Sequence, residues 1–120
     1  MGKKVLVVDD ALFMRTVLKK ILTADGFEVF EACDGSEAVA AFVSVEPDVV
    51  LMDVTMPNLD GLSAVKQIMS AHPGARVVMC TAIGQQAVVA EAMAAGAADF
   101  IVKPFQPEKV RETVARIAGG

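Results

Sequence analysis

Cysteine and histidine are scarce in this sequence. It contains two cysteines, Cys33 and Cys80, without a Cys-x-x-Cys spacing, and one histidine, His72. This usage indicates two reduced thiols rather than a disulfide framework, as is usual in the cytoplasm. The Pro-Gly pair after His72 predicts that the histidine lies in a surface loop.

Long apolar runs and an excess of positive charge are also missing. No apolar run approaches the roughly 18 residues of a membrane span. The amino-terminal "MGKKVLVV" is too short for a signal peptide and runs straight into acidic residues. The net charge of −4 argues against a bare basic surface for nucleic acid. We therefore expect a cytoplasmic protein that contacts neither a membrane nor, directly, nucleic acid.

The sequence does show a regular alternation of short apolar runs and segments of helical periodicity. With 120 residues, 54% of them hydrophobic, the chain can form one domain, residues 1–120, with its own core. The pattern predicts strands at 4–8, 27–32, 48–52, 76–80 and 100–102. Each is followed by a predicted helix, at 12–24, 36–45, 62–69, 85–95 and from Pro107 onward. Five such units predict an α/β fold whose parallel sheet carries helices on both faces and binds ligands at the carboxyl ends of its strands.

Polar residues follow four of the five predicted strands. Asp9 and Asp10 follow the first strand, Asp53 the third, Thr81 the fourth and Lys103 the fifth. Each has a local explanation, such as Asp10 capping the next helix, but local explanations do not account for all of them at one edge. Three carboxylates in one cleft raise each other's pKa, so we expect a cation among them. Lys103 is one candidate and Mg²⁺, which prefers oxygen ligands, is the other.

This set of residues indicates phosphoryl chemistry. A carboxylate beside Mg²⁺ can act as a nucleophile toward a phosphoryl group and form an acyl phosphate. We expect Asp53 to be that nucleophile, with Thr81 and Lys103 contacting the phosphoryl oxygens. The expected metal ligands are the carboxylates of Asp9, Asp10 and Asp53 and the backbone carbonyl of Thr55.

Four ordered segments, "VLVVDDALFMR", "DVVLMDVTMPNLDG", "VVMCTA" and "DFIVKPF", resemble the receiver domain of two-component response regulators over the whole chain. The resemblance implies a flavodoxin-like, doubly wound (βα)5 sheet of strand order 2-1-3-4-5. It also implies a signalling switch, not a conventional enzyme, in which a histidine kinase donates phosphate to Asp53 with Mg²⁺. Thr81 and Phe100 match the switch residues, and Pro104 matches a proline preceded by a cis peptide. The face of helix 4, strand 5 and helix 5 would then change its affinity for a partner.

Within the family, "DDALFMR" and "CTAIGQQ" are most similar to monomeric, single-domain chemotaxis regulators. That similarity implies a CheA-like histidine kinase as phosphate donor and the flagellar motor switch as effector. The alternative is a receiver domain from another response regulator, in a phosphorelay or a transcription factor.

Two departures from the family pattern concern the switch and the lifetime of the phosphate. The sequence has no tyrosine, so the switch aromatic, Phe100, lacks a hydroxyl. Thr55, two residues past Asp53, and Ile83, beyond Ala82 in the loop after Thr81, match positions that flank the path of the hydrolytic water. Neither has an acid or amide to orient water, so we expect slow self-dephosphorylation unless a phosphatase assists.

Two other classes of protein share parts of this pattern. A haloacid-dehalogenase-type phosphatase needs an aspartate two residues past its nucleophile, where this chain has Thr55. A flavodoxin-type module binds the phosphate of FMN after its first strand, where Asp9 and Asp10 would repel it. Both classes therefore fit less well than a receiver.

Overall fold

A computed structural model describes residues 2–119 of the chain. In it five strands alternate with five helices, as the sequence predicts. The elements are β1 (Lys4–Val8), α1 (Leu12–Ala24), β2 (Glu28–Ala32), α2 (Gly35–Val45), β3 (Val49–Asp53), α3 (Gly61–Ala71), β4 (Val77–Thr81), α4 (Gln86–Ala95), β5 (Asp99–Val102) and α5 (Pro107–Gly119). Asp53 and Thr81, predicted to follow their strands, are instead the last residues of β3 and β4.

The strands form one parallel sheet in the order β2-β1-β3-β4-β5, which confirms the flavodoxin-like topology. Every residue of β3 and β4 is buried, because helices cover both faces of these central strands. This double burial explains their unbroken apolar sequences. The strand β2, whose sequence alternates, lies at an edge of the sheet.

Alternate residues of each central strand point into two separate cores. Val50 and Met52 belong to the core beneath α2, α3 and α4, whereas Val49 and Leu51 belong to the core beneath α1 and α5. The two cores hold the central strands between them, so the carboxyl ends of β1, β3 and β4 have a fixed backbone on which side chains can be placed.

His72 lies in the loop after α3, as the sequence predicts. It is the residue directly after the helix, and its backbone N–H donates to Ile68 O at 2.7 Å. Its ring is half-buried against Phe42, with 4.8 Å between the ring centroids. Pro73 and Gly74 form the expected turn directly after it, and the contact with Phe42 holds the imidazole against the protein.

Among residues 2–119, no helix combines the length and apolar character needed to cross a membrane.

Candidate functional site at the carboxyl edge of the sheet

Strand register brings two of the predicted acidic residues side by side. The parallel pairing of β1 with β3 aligns Val8 with Met52, so the next residues, Asp9 and Asp53, emerge together. The order of the sheet changes direction between these two strands, because β1 leads through α1 to β2 on one side and β3 leads through α3 to β4 on the other. A cleft at this switch point is where open α/β sheets bind ligands.

Three carboxylates meet in this cleft. One oxygen from each of Asp9, Asp10 and Asp53 lies within 4.8 Å of the others. Asp9 and Asp53 are buried, at 2% and 6% exposure, whereas Asp10 faces solvent. The Ala11 N–H donates to Asp9 Oδ1 at 2.9 Å and fixes that carboxylate. No side chain caps α1, so the helix-cap explanation of Asp10 does not hold.

Lys103 supplies a cation to the two buried acids. Its Nζ lies 2.9 Å from Asp53 Oδ1 and 3.2 Å from Asp9 Oδ2. Its backbone N–H donates to Thr81 O at 2.7 Å, which ties the residue to the end of β4. The bond between Lys103 and Pro104 is cis, in agreement with the resemblance.

The cleft keeps an excess of negative charge. Burial raises the pKa of Asp53, and the hydrogen bond from Lys103 only partly opposes this effect. Burial alone would lower the pKa of Lys103, but the hydrogen bond and charge of Asp53, with the charge of Asp9, outweigh it and raise that pKa. One ammonium therefore faces three carboxylates. This donor set of hard oxygens with unbalanced negative charge fits Mg²⁺.

Thr81 lies at the end of β4 with its hydroxyl held by the following loop. The side chain is buried, and Oγ1 donates toward Ala82 O at 3.0 Å and Gln85 Oε1 at 2.9 Å. Gln85 in turn donates from Nε2 to Thr55 Oγ1 at 3.0 Å. The sequence analysis missed Gln85, because "GQQ" indicated only the start of α4. The residue does precede that helix, but its side chain points back to the cleft.

The two positions expected to affect hydrolysis, Thr55 and Ile83, lie in the loops after β3 and β4. The exposed Thr55 binds Gln85 through its side chain, and the expected ligand role of its backbone carbonyl remains a prediction. Ile83 is 83% exposed, and Ala82 before it is also exposed. Neither side chain has a carboxylate or carboxamide that could orient a water molecule.

A mostly apolar groove of about 460 Å³ runs from Thr81 to Phe100, between α4 and β5. Phe100 is 42% exposed. The groove is also lined by Ile83, Val89, Met93 and Val102. It joins the cleft, through Thr81, to the surface of α4 and β5.

Comparisons with known proteins agree with this geometry. The family profile described as "Response regulator receiver domain" matches residues 5–115. The chain is 53% identical to chemotaxis protein CheY of Thermotoga maritima over 119 residues, which cover 98% of this chain and 99% of that one. It is 50% identical to chemotaxis protein CheY of Bacillus subtilis over 115 residues, which cover 95% and 96%.

A solved structure gives the same fold. The CheX-CheY-BeF3-Mg complex from Borrelia burgdorferi superposes with a TM-score of 0.91 at 37% identity, covering 96% of this chain and 88% of that chain. Receiver domains bind Mg²⁺ at an acidic pocket, which corresponds to the carboxylate cluster here. The chain therefore belongs to the response regulator receiver family, as a CheY-like signalling domain of a two-component system.

Proposed function

We propose that this chain is a chemotaxis switch in which Asp53 accepts phosphate from a histidine kinase. The observation that carries the proposal is the carboxylate cluster of Asp9, Asp10 and Asp53, together with the contact between Lys103 Nζ and Asp53 Oδ1. The carboxylates offer a nucleophile and hard oxygen ligands for a metal ion, and the Lys103 ammonium offers a positive charge to phosphoryl oxygens in the same cleft.

Asp53 would attack through the oxygen that the ion pair leaves available. Lys103 contacts Oδ1, so Oδ2 is placed to form the new bond to phosphorus. As the O–P bond forms, the P–N bond of the kinase phosphohistidine breaks. The imidazole keeps the electron pair and takes up a proton, and Asp53 becomes an acyl phosphate. The Lys103 ammonium and the Thr81 hydroxyl would contact the phosphoryl oxygens.

The Mg²⁺ ligands in this proposal are the carboxylates of Asp9, Asp10 and Asp53 and the Thr55 carbonyl. When bound, the ion offsets charge on the phosphoryl oxygens. Asp10 would contribute its exposed carboxylate from the solvent side of the site, while Asp9 is held in place by the Ala11 N–H.

The output would be a change on the α4-β5-α5 face. Once Asp53 is phosphorylated, Thr81 turns toward the phosphoryl group and the half-exposed Phe100 turns into the groove. Such a local charge change biases a two-state surface. The identity to CheY proteins over nearly the whole chain supports the flagellar motor switch as effector and a CheA-like kinase as donor. The chain would act as a monomer, and the CheX-CheY complex supports a CheX-like protein as a further partner.

Mass mapping after incubation with acetyl phosphate and Mg²⁺ tests the phosphoacceptor. We expect the mass of one phosphoryl group on the peptide that contains Asp53, and none in Asp53→Asn. Asp60→Asn is the matched control, because Asp60 caps α3 by accepting from Ser63 N at 2.7 Å and asparagine caps a helix equally well. Label at another residue, or undiminished label in Asp53→Asn, would contradict the proposal.

The effector is tested separately with beryllofluoride, a phosphoryl analogue for carboxylates. Binding of the flagellar motor switch protein should rise when beryllofluoride and Mg²⁺ are added. Labelling of Asp53 without any gain in motor-switch binding would instead favour a receiver domain that serves another response regulator.

A further inference from the structure

The side chain of Gln85 connects the two loops that flank Asp53. Its Oε1 accepts from the Thr81 hydroxyl at 2.9 Å and from the Ala82 N–H at 2.8 Å. Its Nε2 donates to Thr55 Oγ1 at 3.0 Å. One carboxamide therefore links the loop after β4 to the loop after β3.

The chemistry of the contacts fixes the orientation of this carboxamide. The Ala82 N–H can only donate, so the atom of Gln85 that faces it must be the oxygen. The nitrogen then faces Thr55 Oγ1, which accepts. The reverse orientation would set two N–H donors against each other.

Helix capping does not explain these contacts. Gln85 occupies the N-cap position of α4, yet its side chain makes no capping hydrogen bond to that helix. An N-cap side chain ordinarily satisfies a free N–H of the first turn. Here the carboxamide instead turns back toward Thr81 and Thr55, where it can affect the cleft.

We propose that Gln85 is a positioning residue that holds the Thr81 hydroxyl in the resting state of the switch. This inference rests on the proposed function. A hydroxyl has a single hydrogen, and both acceptors near it, Ala82 O and Gln85 Oε1, belong to the loop after β4. Thr81 must give up this hydrogen bond before it can donate to a phosphoryl oxygen on Asp53. Gln85 therefore opposes activation.

The affinity for beryllofluoride measures how strongly Gln85 opposes activation. At fixed Mg²⁺, NMR titration of backbone amides gives the half-saturating concentration for each variant. One hydrogen bond that must be broken corresponds to about a two- to tenfold change in an equilibrium constant. We expect Gln85→Ala and Gln85→Met to bind about two to ten times more tightly than wild type. The methionine variant keeps the side-chain length and guards against misfolding of the alanine variant.

The adjacent glutamine provides a matched control. Gln86 is exposed and begins α4, so Gln86→Ala makes the same chemical change one residue away and should leave the affinity unchanged. Repeating Gln85→Ala in a Thr81→Ala background distinguishes an effect on the Thr81 hydroxyl from a general loosening of the loop after β4. Without the hydroxyl, Gln85→Ala should give no further gain, which is the coupling that a double-mutant cycle detects.

The outcomes separate the two proposals. Equal affinity in wild type and both Gln85 variants would overturn the role of Gln85 alone. A gain that survives in the Thr81→Ala background would also overturn it, because the effect would not pass through the hydroxyl. If wild type itself binds no beryllofluoride, the phosphoacceptor proposal fails and this inference fails with it. Amide exchange at Ala82 should quicken in both Gln85 variants but not in Gln86→Ala, and unchanged exchange would contradict the hydrogen bond itself.

Discussion

Gly61, the first residue of α3, lies directly against the backbone of Asp53. A Cβ at this position would overlap the carbonyl oxygen of Asp53 and lie 2.9 Å from its carbonyl carbon and 3.0 Å from Cα of Val54. All three neighbours are main-chain atoms, so no side-chain rotation can make room. Gly61→Ala must therefore push the start of α3 away from the end of β3.

The expected cost follows from what this displacement disturbs. The Gly61 N–H donates to Val54 O at 2.9 Å, and α3 buries Ala64, Val65 and Ile68 in the core. Overpacking costs about 1–3 kcal/mol, and a lost backbone hydrogen bond about 0.5–1.5 kcal/mol. Alanine also lowers the conformational entropy of the unfolded chain, which stabilises the folded state by about 0.4–1 kcal/mol. The net loss in the free energy of unfolding is then about 2 kcal/mol, with limits of about 0.5 and 4 kcal/mol.

Urea unfolding followed by circular dichroism measures this loss, since the chain has no tryptophan or tyrosine to report by fluorescence. With a urea dependence of about 2 kcal/mol per molar, the midpoint should fall by about 1 M. Gly74→Ala is the control, because a Cβ there meets nothing within 4 Å. Equal midpoints for the two variants would refute the close approach of α3 to Asp53. Phosphorylation should also slow in Gly61→Ala alone, because the backbone against which the new methyl group presses carries the proposed nucleophile, Asp53.

Three further predictions concern the cleft. Mg²⁺ at about 100 times its Kd should stabilise the folded protein by about 2.7 kcal/mol in thermal unfolding. Asp10→Asn should reduce this stabilisation, and an unchanged Tm with Mg²⁺ would contradict the metal site. Because the pKa of Asp53 is raised in the folded protein, the folded state binds that proton more tightly, and the stability it contributes is lost as pH rises from about 4 through the folded pKa. Without Mg²⁺, Asp53→Asn should therefore gain stability over wild type between acid and neutral pH, and urea midpoints that stay parallel would contradict this. Finally, Thr55→Asn and Ile83→Glu should shorten the acyl phosphate lifetime measured in purified protein, and rapid loss from wild type would argue against slow self-dephosphorylation.

The fold and most of the cleft could be predicted from the sequence because they depend on strand burial and register. An unbroken apolar run such as 49–52 is typical of a strand covered on both faces. Once β1 and β3 are neighbours, in-register pairing places Asp9 beside Asp53. The one-residue error at the end of β3 has a physical cause. A buried aspartate argues against a strand position, but Lys103 compensates its charge from the far end of the chain.

Gln85 could not be predicted because its role depends on the path of a loop. Gly84 adopts a φ of +97°, a left-handed conformation that turns the chain between Thr81 and α4. This turn brings a side chain four residues past Thr81 back onto its hydroxyl. Neither hydrophobic periodicity nor residue type predicts this contact between Gln85 and Thr81.

The contacts of Thr81 also limit how a signal can leave the cleft. Its carbonyl accepts from the Lys103 N–H at 2.7 Å, and its pairing with Val102 joins β4 to β5. The main chain of Thr81 is thus held by the sheet, whereas its hydroxyl is held only by the following loop. A new charge on Asp53 can therefore rotate the side chain and shift that loop without disturbing strand pairing. In the proposed switch, we therefore expect the response to travel through this loop and the groove that leads to Phe100, and not through the sheet itself.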